Sequence, residues 1–188
     1  MAAGRFDPDN RGKLVEAKRR DRWAPSRFLA QLNLHEGQTV LDLGCGPGFW
    51  TLPLAEIVGP AGRVWALDVS EEMLGDLLRR QPPSRVGLLV GELPTIGLSD
   101  ASVDWIWAAF LFHEVEPPER LAAEMRRVTR PAGRVAVLDW RPDAAGDRGP
   151  PRSHRLFVAQ LGEYLRASGF ATTSRIWQDE EAYLVVAH

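Results

Sequence analysis

Between Val40 and Phe49 the chain reads Val-Leu-Asp-Leu-Gly-Cys-Gly-Pro-Gly-Phe, an apolar run that ends in three glycines at alternate positions. The run predicts a strand over Thr39–Leu43. The residues from Thr51 to Val58 read as a helix, stopped by Gly59-Pro60-Ala61-Gly62. Glycine lacks a Cβ, so a turn built on Gly44, Gly46 and Gly48 can be tight and can bring backbone close to a ligand. The N–H groups at the start of the following helix then face that ligand. A plain strand–helix connection rarely needs three glycines with Asp42 just ahead of them.

The same alternation continues downstream. Arg63–Leu67 is a second apolar run, ending at Asp68. Ser70 suits an N-cap, with Glu71 and Glu72 in the first turn and Met73, Leu74, Leu77 and Leu78 at helical spacing. Val86–Val90 and Val103–Ala109 read as strands three and four. Pro117–Thr129 reads as a helix with Leu121, Met125 and Val128 buried, and Arg134–Asp139 as a fifth strand. After a Pro/Gly-rich loop over 141–152 comes a helix expected at Ser153–Ser168, with Leu156, Phe157, Leu161 and Leu165 on one face and Gly169 as its stop. Ala171–Trp177 and Ala182–Ala187 are joined too closely to be parallel. The expected fold is α/β and Rossmann-like. It has a seven-stranded, mostly parallel sheet, helices on both faces and a C-terminal antiparallel hairpin.

A chain of 188 residues fits one domain over 1–188. Its formal net charge of −2 argues against a globally basic nucleic-acid binder. The single cysteine, Cys45, excludes an internal disulfide and a Cys-rich metal site, and no metal is expected. No apolar run approaches the roughly 20 residues of a membrane span, and the first residues lack a signal-peptide core, so the cytoplasm is the expected compartment. Residues 1–27 are polar and rich in both charges, with one or two helices broken at Pro25. They are expected to form a helical cap on a core spanning 34–188, either as a solvated cover or as a lid.

A dinucleotide and S-adenosyl-L-methionine both fit such a turn. The dinucleotide pattern places glycine three residues after Gly46, where this chain has Phe49. Asp42 would repel a pyrophosphate but suits the cationic amino-acid end of S-adenosylmethionine. Asp68, closing the second strand, can accept both ribose hydroxyls of an adenosine. VLDLGCGPGFWT followed by VWALDVSEEML resembles the class I S-adenosylmethionine-dependent methyltransferases. It is most similar to the small branch that includes the ubiquinone and menaquinone C-methyltransferases. Gly91-Glu92-Leu93 resembles the family segment whose acid receives the adenine amino group. Leu121–Arg134 resembles a largely structural helix-and-turn segment. The resemblance implies cofactor contacts from Asp42, Gly44, Cys45, Gly46 and Gly48, from Asp68, Val69 and Met73, and from Gly91, Glu92, Leu93 and Ala109. It implies S-adenosyl-L-homocysteine as the product.

The reacting methyl is expected beyond the end of the fourth strand. His113 and Glu114 are the acid–base candidates there, with helix-start packing as the structural alternative. Trp140 is a candidate to stack on an acceptor and Arg141 to hold an anion, while Trp50 walls the cofactor site or belongs to the core. One cysteine speaks against arsenic methylation, and the chain has no room for a DNA-recognition domain. A small-molecule acceptor is the first expectation, with RNA or a protein side chain behind it and a homodimer left open. The rival reading is a non-catalytic S-adenosylmethionine-binding protein.

Overall fold

The computed structural model describes residues 12, 14, 16–146 and 148–188. Its contacts fall into two compact units, one ending at Glu92 and the other running Leu93–His188. The strands form a single seven-stranded sheet in the order β3-β2-β1-β4-β5-β7-β6, with ranges as given below.

In the first unit, two short helices, α1 (Ala17–Arg22) and α2 (Pro25–Leu29), precede β1 (Thr39–Leu43). Pro25 opens α2, where its missing N–H costs no helical hydrogen bond. The chain continues through α3 (Thr51–Val58), β2 (Arg63–Asp68), α4 (Glu71–Arg79) and β3 (Val86–Val90). All three strands are parallel. Their register sets Leu43 against Leu67 and Asp68 against Val90. The glycine turn after β1 therefore meets the acidic end of β2. Ser70 caps α4 by accepting from the Met73 N–H at 3.2 Å, as expected. Met73, Leu74 and Leu77 are buried, but Leu78 is exposed. It is the outermost of the four on the helical wheel and lies past the face that the sheet covers.

The second unit holds β4 (Val103–Ala109), α5 (Pro118–Val128), β5 (Thr129–Trp140), α6 (Val158–Ala167), β6 (Thr173–Gln178) and β7 (Ala182–Ala187). β4 and β5 are parallel, and β7 is antiparallel to both β5 and β6. Leu121, Met125 and Val128 pack inward as expected. Three expectations are corrected. β5 starts at Thr129, not Arg134, because Thr129 already pairs with Val103 before the register shifts. α6 starts at Val158, not Ser153. Arg155 is held out of a helix by donating to the carbonyls of Arg141, Arg148 and Pro150, and the Leu156 carbonyl accepts from the Tyr183 hydroxyl. Phe157 is exposed rather than part of the buried stripe. Among the described residues, no helix is long and apolar enough to cross a membrane.

Candidate functional site

Gly44, Gly46 and Gly48 have φ of +71°, +52° and +83°, in the left-handed region that glycine enters without strain. At Gly48 there is a second reason, since a Cβ there would collide with the Leu77 side chain. The end of β2 holds the turn in place. Gly44 and Cys45 donate to the Leu67 carbonyl at 2.9 and 3.0 Å. Asp68 accepts from the Gly46 N–H at 2.8 Å through one oxygen and from the Ser70 N–H at 2.9 Å through the other. One carboxylate thus joins the glycine turn to the start of α4.

Asp42 lies beneath the turn, buried, and accepts from the Thr51 hydroxyl at 2.6 Å. Burial raises its pKa to about 7. The Thr51 hydrogen bond opposes the rise and the Asp68 charge adds to it. Cys45 is buried, its thiol donates to the Gly46 carbonyl, and burial raises its pKa further. It fills the turn, packed with Ala66, Leu74 and Leu77. Val69 and Glu92 are exposed, Gly91 donates to the Asp68 carbonyl at 3.1 Å, and Met73 is buried.

The described part of the N-terminal segment packs on this turn. The Leu14 side chain reaches within 3.5 Å of where a Gly46 Cβ would stand. The Arg19 guanidinium lies over the Phe49 ring at 5.3 Å, and burial lowers its pKa to about 10. Phe28 meets Trp50 edge-on, as does Phe49. Trp50 is 3% exposed and belongs to this aromatic core.

In the second unit, the paired ends of β4 and β5 set Ala109 opposite Leu138. Phe110 then turns with φ of +58°, unusual for an aromatic residue, and its N–H donates to the Leu138 carbonyl at 2.7 Å. Its ring lies 4.8 Å from that of Trp140, and both are half-buried. A short 3-10 turn over Phe112–Glu114 follows. It places His113 Nδ1 2.8 Å from Asp139 Oδ1 and Nε2 3.6 Å from Glu114 Oε1. Asp139 also accepts from the Trp140 N–H at 2.8 Å. Burial works against the charged imidazole, but Asp139, its hydrogen bond and Glu114 outweigh it and raise the pKa to about 9. The shift favours the protonated ring at neutral pH.

Arg141 spends its guanidinium on Asp143, at 2.9 and 2.7 Å, and on the Asp179 carbonyl. Sequence reasoning singled out His113 and Glu114 and placed Asp139 at the end of the fifth strand facing the same cleft, but gave it no role of its own. The one available signal was an aspartate ending an otherwise apolar strand. Among the described residues, no group of His, Cys, Asp and Glu is arranged to hold a metal ion.

A mostly parallel seven-stranded sheet closed by an antiparallel strand pair, with an acid-bearing glycine turn after β1, defines an S-adenosylmethionine-dependent methyltransferase. Residues 40–133 match the family model described as a methyltransferase domain, and the chain belongs to that family. Its sequence is 33% identical to a SAM-dependent methyltransferase from Aquifex aeolicus of known crystal structure. That likeness covers 97% of this chain and 98% of the other, with a TM-score of 0.88. A demethylmenaquinone methyltransferase from a Geobacillus strain is 29% identical over 93% of this chain and 75% of its own length. An uncharacterised 37.1 kDa protein in transposon TN4556 of Streptomyces fradiae is 38% identical over 61% of this chain, which spans only 34% of that protein. The cofactor of the chain is S-adenosyl-L-methionine.

Proposed function

We propose that the chain methylates a small aromatic acceptor bearing a hydroxyl group, of the hydroquinone kind, and releases S-adenosyl-L-homocysteine. The observation that carries this reading is the glycine turn locked to Asp68, because its geometry and charge fit the cofactor. Asp68 offers acceptors to the ribose hydroxyls, Asp42 a negative charge to the ammonium end, and Glu92 an acceptor to the adenine amino group. Val69 and Met73, with Gly91, Leu93 and Ala109, complete the proposed cofactor contacts. The bound cofactor supplies an electrophilic methyl on a sulfonium. The chain itself supplies position and exclusion of water.

Two features support the acceptor class. Demethylmenaquinone methyltransferases are among the relatives. The Phe110 and Trp140 rings, 4.8 Å apart, make the ends of β4 and β5 aromatic. Loss of the acceptor's hydroxyl proton to solvent activates the ring, and His113 stands in the turn after β4 between Asp139 and Glu114. An ionised ring is the better nucleophile at oxygen or at the adjacent carbon. Arg141 is left to the structural role its partners give it. The whole chain acts as one methyltransferase domain; residues 1–11, 13 and 15 of the expected N-terminal cap lie outside the described residues.

Calorimetry with S-adenosylmethionine and transfer of labelled methyl to a naphthohydroquinone test this reading. Binding together with label in the hydroquinone is expected. Binding without label in any hydroquinone would remove the acceptor class.

A further inference from the structure

We infer that the first unit carries a phosphate-binding site at the end of the sheet opposite the glycine turn, built by Arg63, Arg85 and Ser84 for a small phosphorylated ligand. This does not depend on the acceptor reading above. A cavity of about 430 Å³ opens where the first residues of β1 and β2 meet the 60–62 turn and residues 84 and 85 ahead of β3. Its volume falls within the roughly 300–1,000 Å³ of small-molecule sites. β1 runs from this cavity to the glycine turn, so at about 3.3 Å per residue the two lie roughly 13 Å apart. The cavity is therefore separate from the proposed cofactor contacts.

Two arginines line the cavity, and neutral groups hold both in place. Arg85 is half-buried, and its Nε–H donates to the Ala55 carbonyl of α3 at 2.8 Å. The Arg63 guanidinium lies over the Trp65 ring at 5.0 Å. Trp65 is itself seated against β3, where a Cβ at Gly87 would collide with its ring. Among the described residues, neither guanidinium meets a carboxylate: Arg63 has the ring and Arg85 the carbonyl. Glu36, whose side chain lies against Gly59, is not part of the cavity wall. The wall thus holds two positive charges and no negative one, and Ser84 adds an exposed hydroxyl beside Arg85. Like charges that share a cavity repel, and an anion between them removes that cost. A guanidinium fork matches two oxygens of a tetrahedral oxyanion, so two forks and a hydroxyl suit phosphate. The net charge of −2 favours a small ligand over an extended nucleic-acid backbone.

The test titrates the full chain with inorganic phosphate at constant ionic strength, so that screening is held fixed, and follows amide and arginine Nε–H signals by NMR. Signals of Arg63, Ser84 and Arg85 should shift and saturate with a dissociation constant of roughly 1 mM. Those of Gly44, Gly46 and Gly48 should stay in place. Arg63→Gln and Arg85→Gln should each weaken phosphate binding about tenfold. Arg63→Lys should keep part of it, since the charge remains and the fork is lost. A wild-type chain that shows no saturable shift overturns the inference, whether or not the variants fold. So does unchanged affinity in either glutamine variant, or a response that sodium chloride reproduces. An oligoribonucleotide that binds here when inorganic phosphate does not would also overturn it, and would mark the patch as a nucleic-acid surface.

Discussion

At the scale of single residues, Asp68 has two tasks that share one carboxylate. It ties Gly46 to Ser70 within the protein and is proposed to hold the ribose. Asp68→Ala should therefore lower S-adenosylmethionine affinity about tenfold or more and also destabilise the free protein by roughly 1–3 kcal/mol. Calorimetry and thermal melts measure the two effects. Lower affinity with an unaltered melt would make Asp68 a ligand contact only. Asp42 gives a prediction of opposite character. Its pKa of about 7 means that near neutrality the pocket is only partly ionised. A cation bound beside it favours the ionised form, so cofactor binding should release protons and tighten as pH rises from 6 toward 7.5. Calorimetry in buffers of differing ionisation enthalpy detects the protons, and Asp42→Asn should abolish them. Asp42 and Asp68 were legible in the sequence because each stands at a strand end beside the glycines. Asp139 was not, because its meaning comes from His113, 26 residues away, and only the pairing of β4 with β5 brings the two together.

At the scale of elements, the glycine turn was readable because each glycine answers a local demand for positive φ, and local demands leave a mark in sequence. The start of β5 left a misleading mark. Pro131 and Gly133 look like a turn, yet the strand begins at Thr129. Gly133 is required because a Cβ would come within 2.6 Å of the Thr129 methyl and 3.0 Å of the Asp104 carbonyl. α6 was overextended for a related reason. Leu156 and Phe157 have helical spacing, but the tertiary bonds of Arg155 and Tyr183 override it. The turn itself carries a prediction. Gly48→Ala forces a Cβ against Leu77 at a φ of +83°, which should destabilise the first unit by about 1–3 kcal/mol. It should also reduce cofactor affinity by more than that loss alone would suggest, because the turn must shift. Equal cofactor affinity in the alanine variant would show that the turn tolerates displacement.

At the scale of the whole molecule, Asp42 and His113 make stability depend on pH in the same direction. Asp42 has a folded pKa raised from 3.8 to about 7, so the folded state binds more protons than the unfolded one between those values, and stability falls as pH rises through them. His113 has a folded pKa raised from 6.5 to about 9. The stability it contributes is fully present below pH 6.5 and is lost as pH rises to 9. Most of the Asp42 effect is spent by pH 8, so between 8 and 9 the histidine is the main contributor, with buried Cys45, whose thiol is also held protonated, adding to the fall near 9. The histidine shift corresponds to roughly 3 kcal/mol over its full range. At ~2–4 °C per kcal/mol for a chain of this length, the melting temperature should fall by about 6–12 °C between pH 6.5 and 9.5. Asp139→Asn removes the main charge that holds the proton, so its melting temperature should be lower at pH 6.5 and fall less steeply from 8 to 9. Convergence of the two curves at alkaline pH is the expected signature. A wild-type melting temperature that stays level from 8 to 9 would show that His113 is neutral in the folded protein.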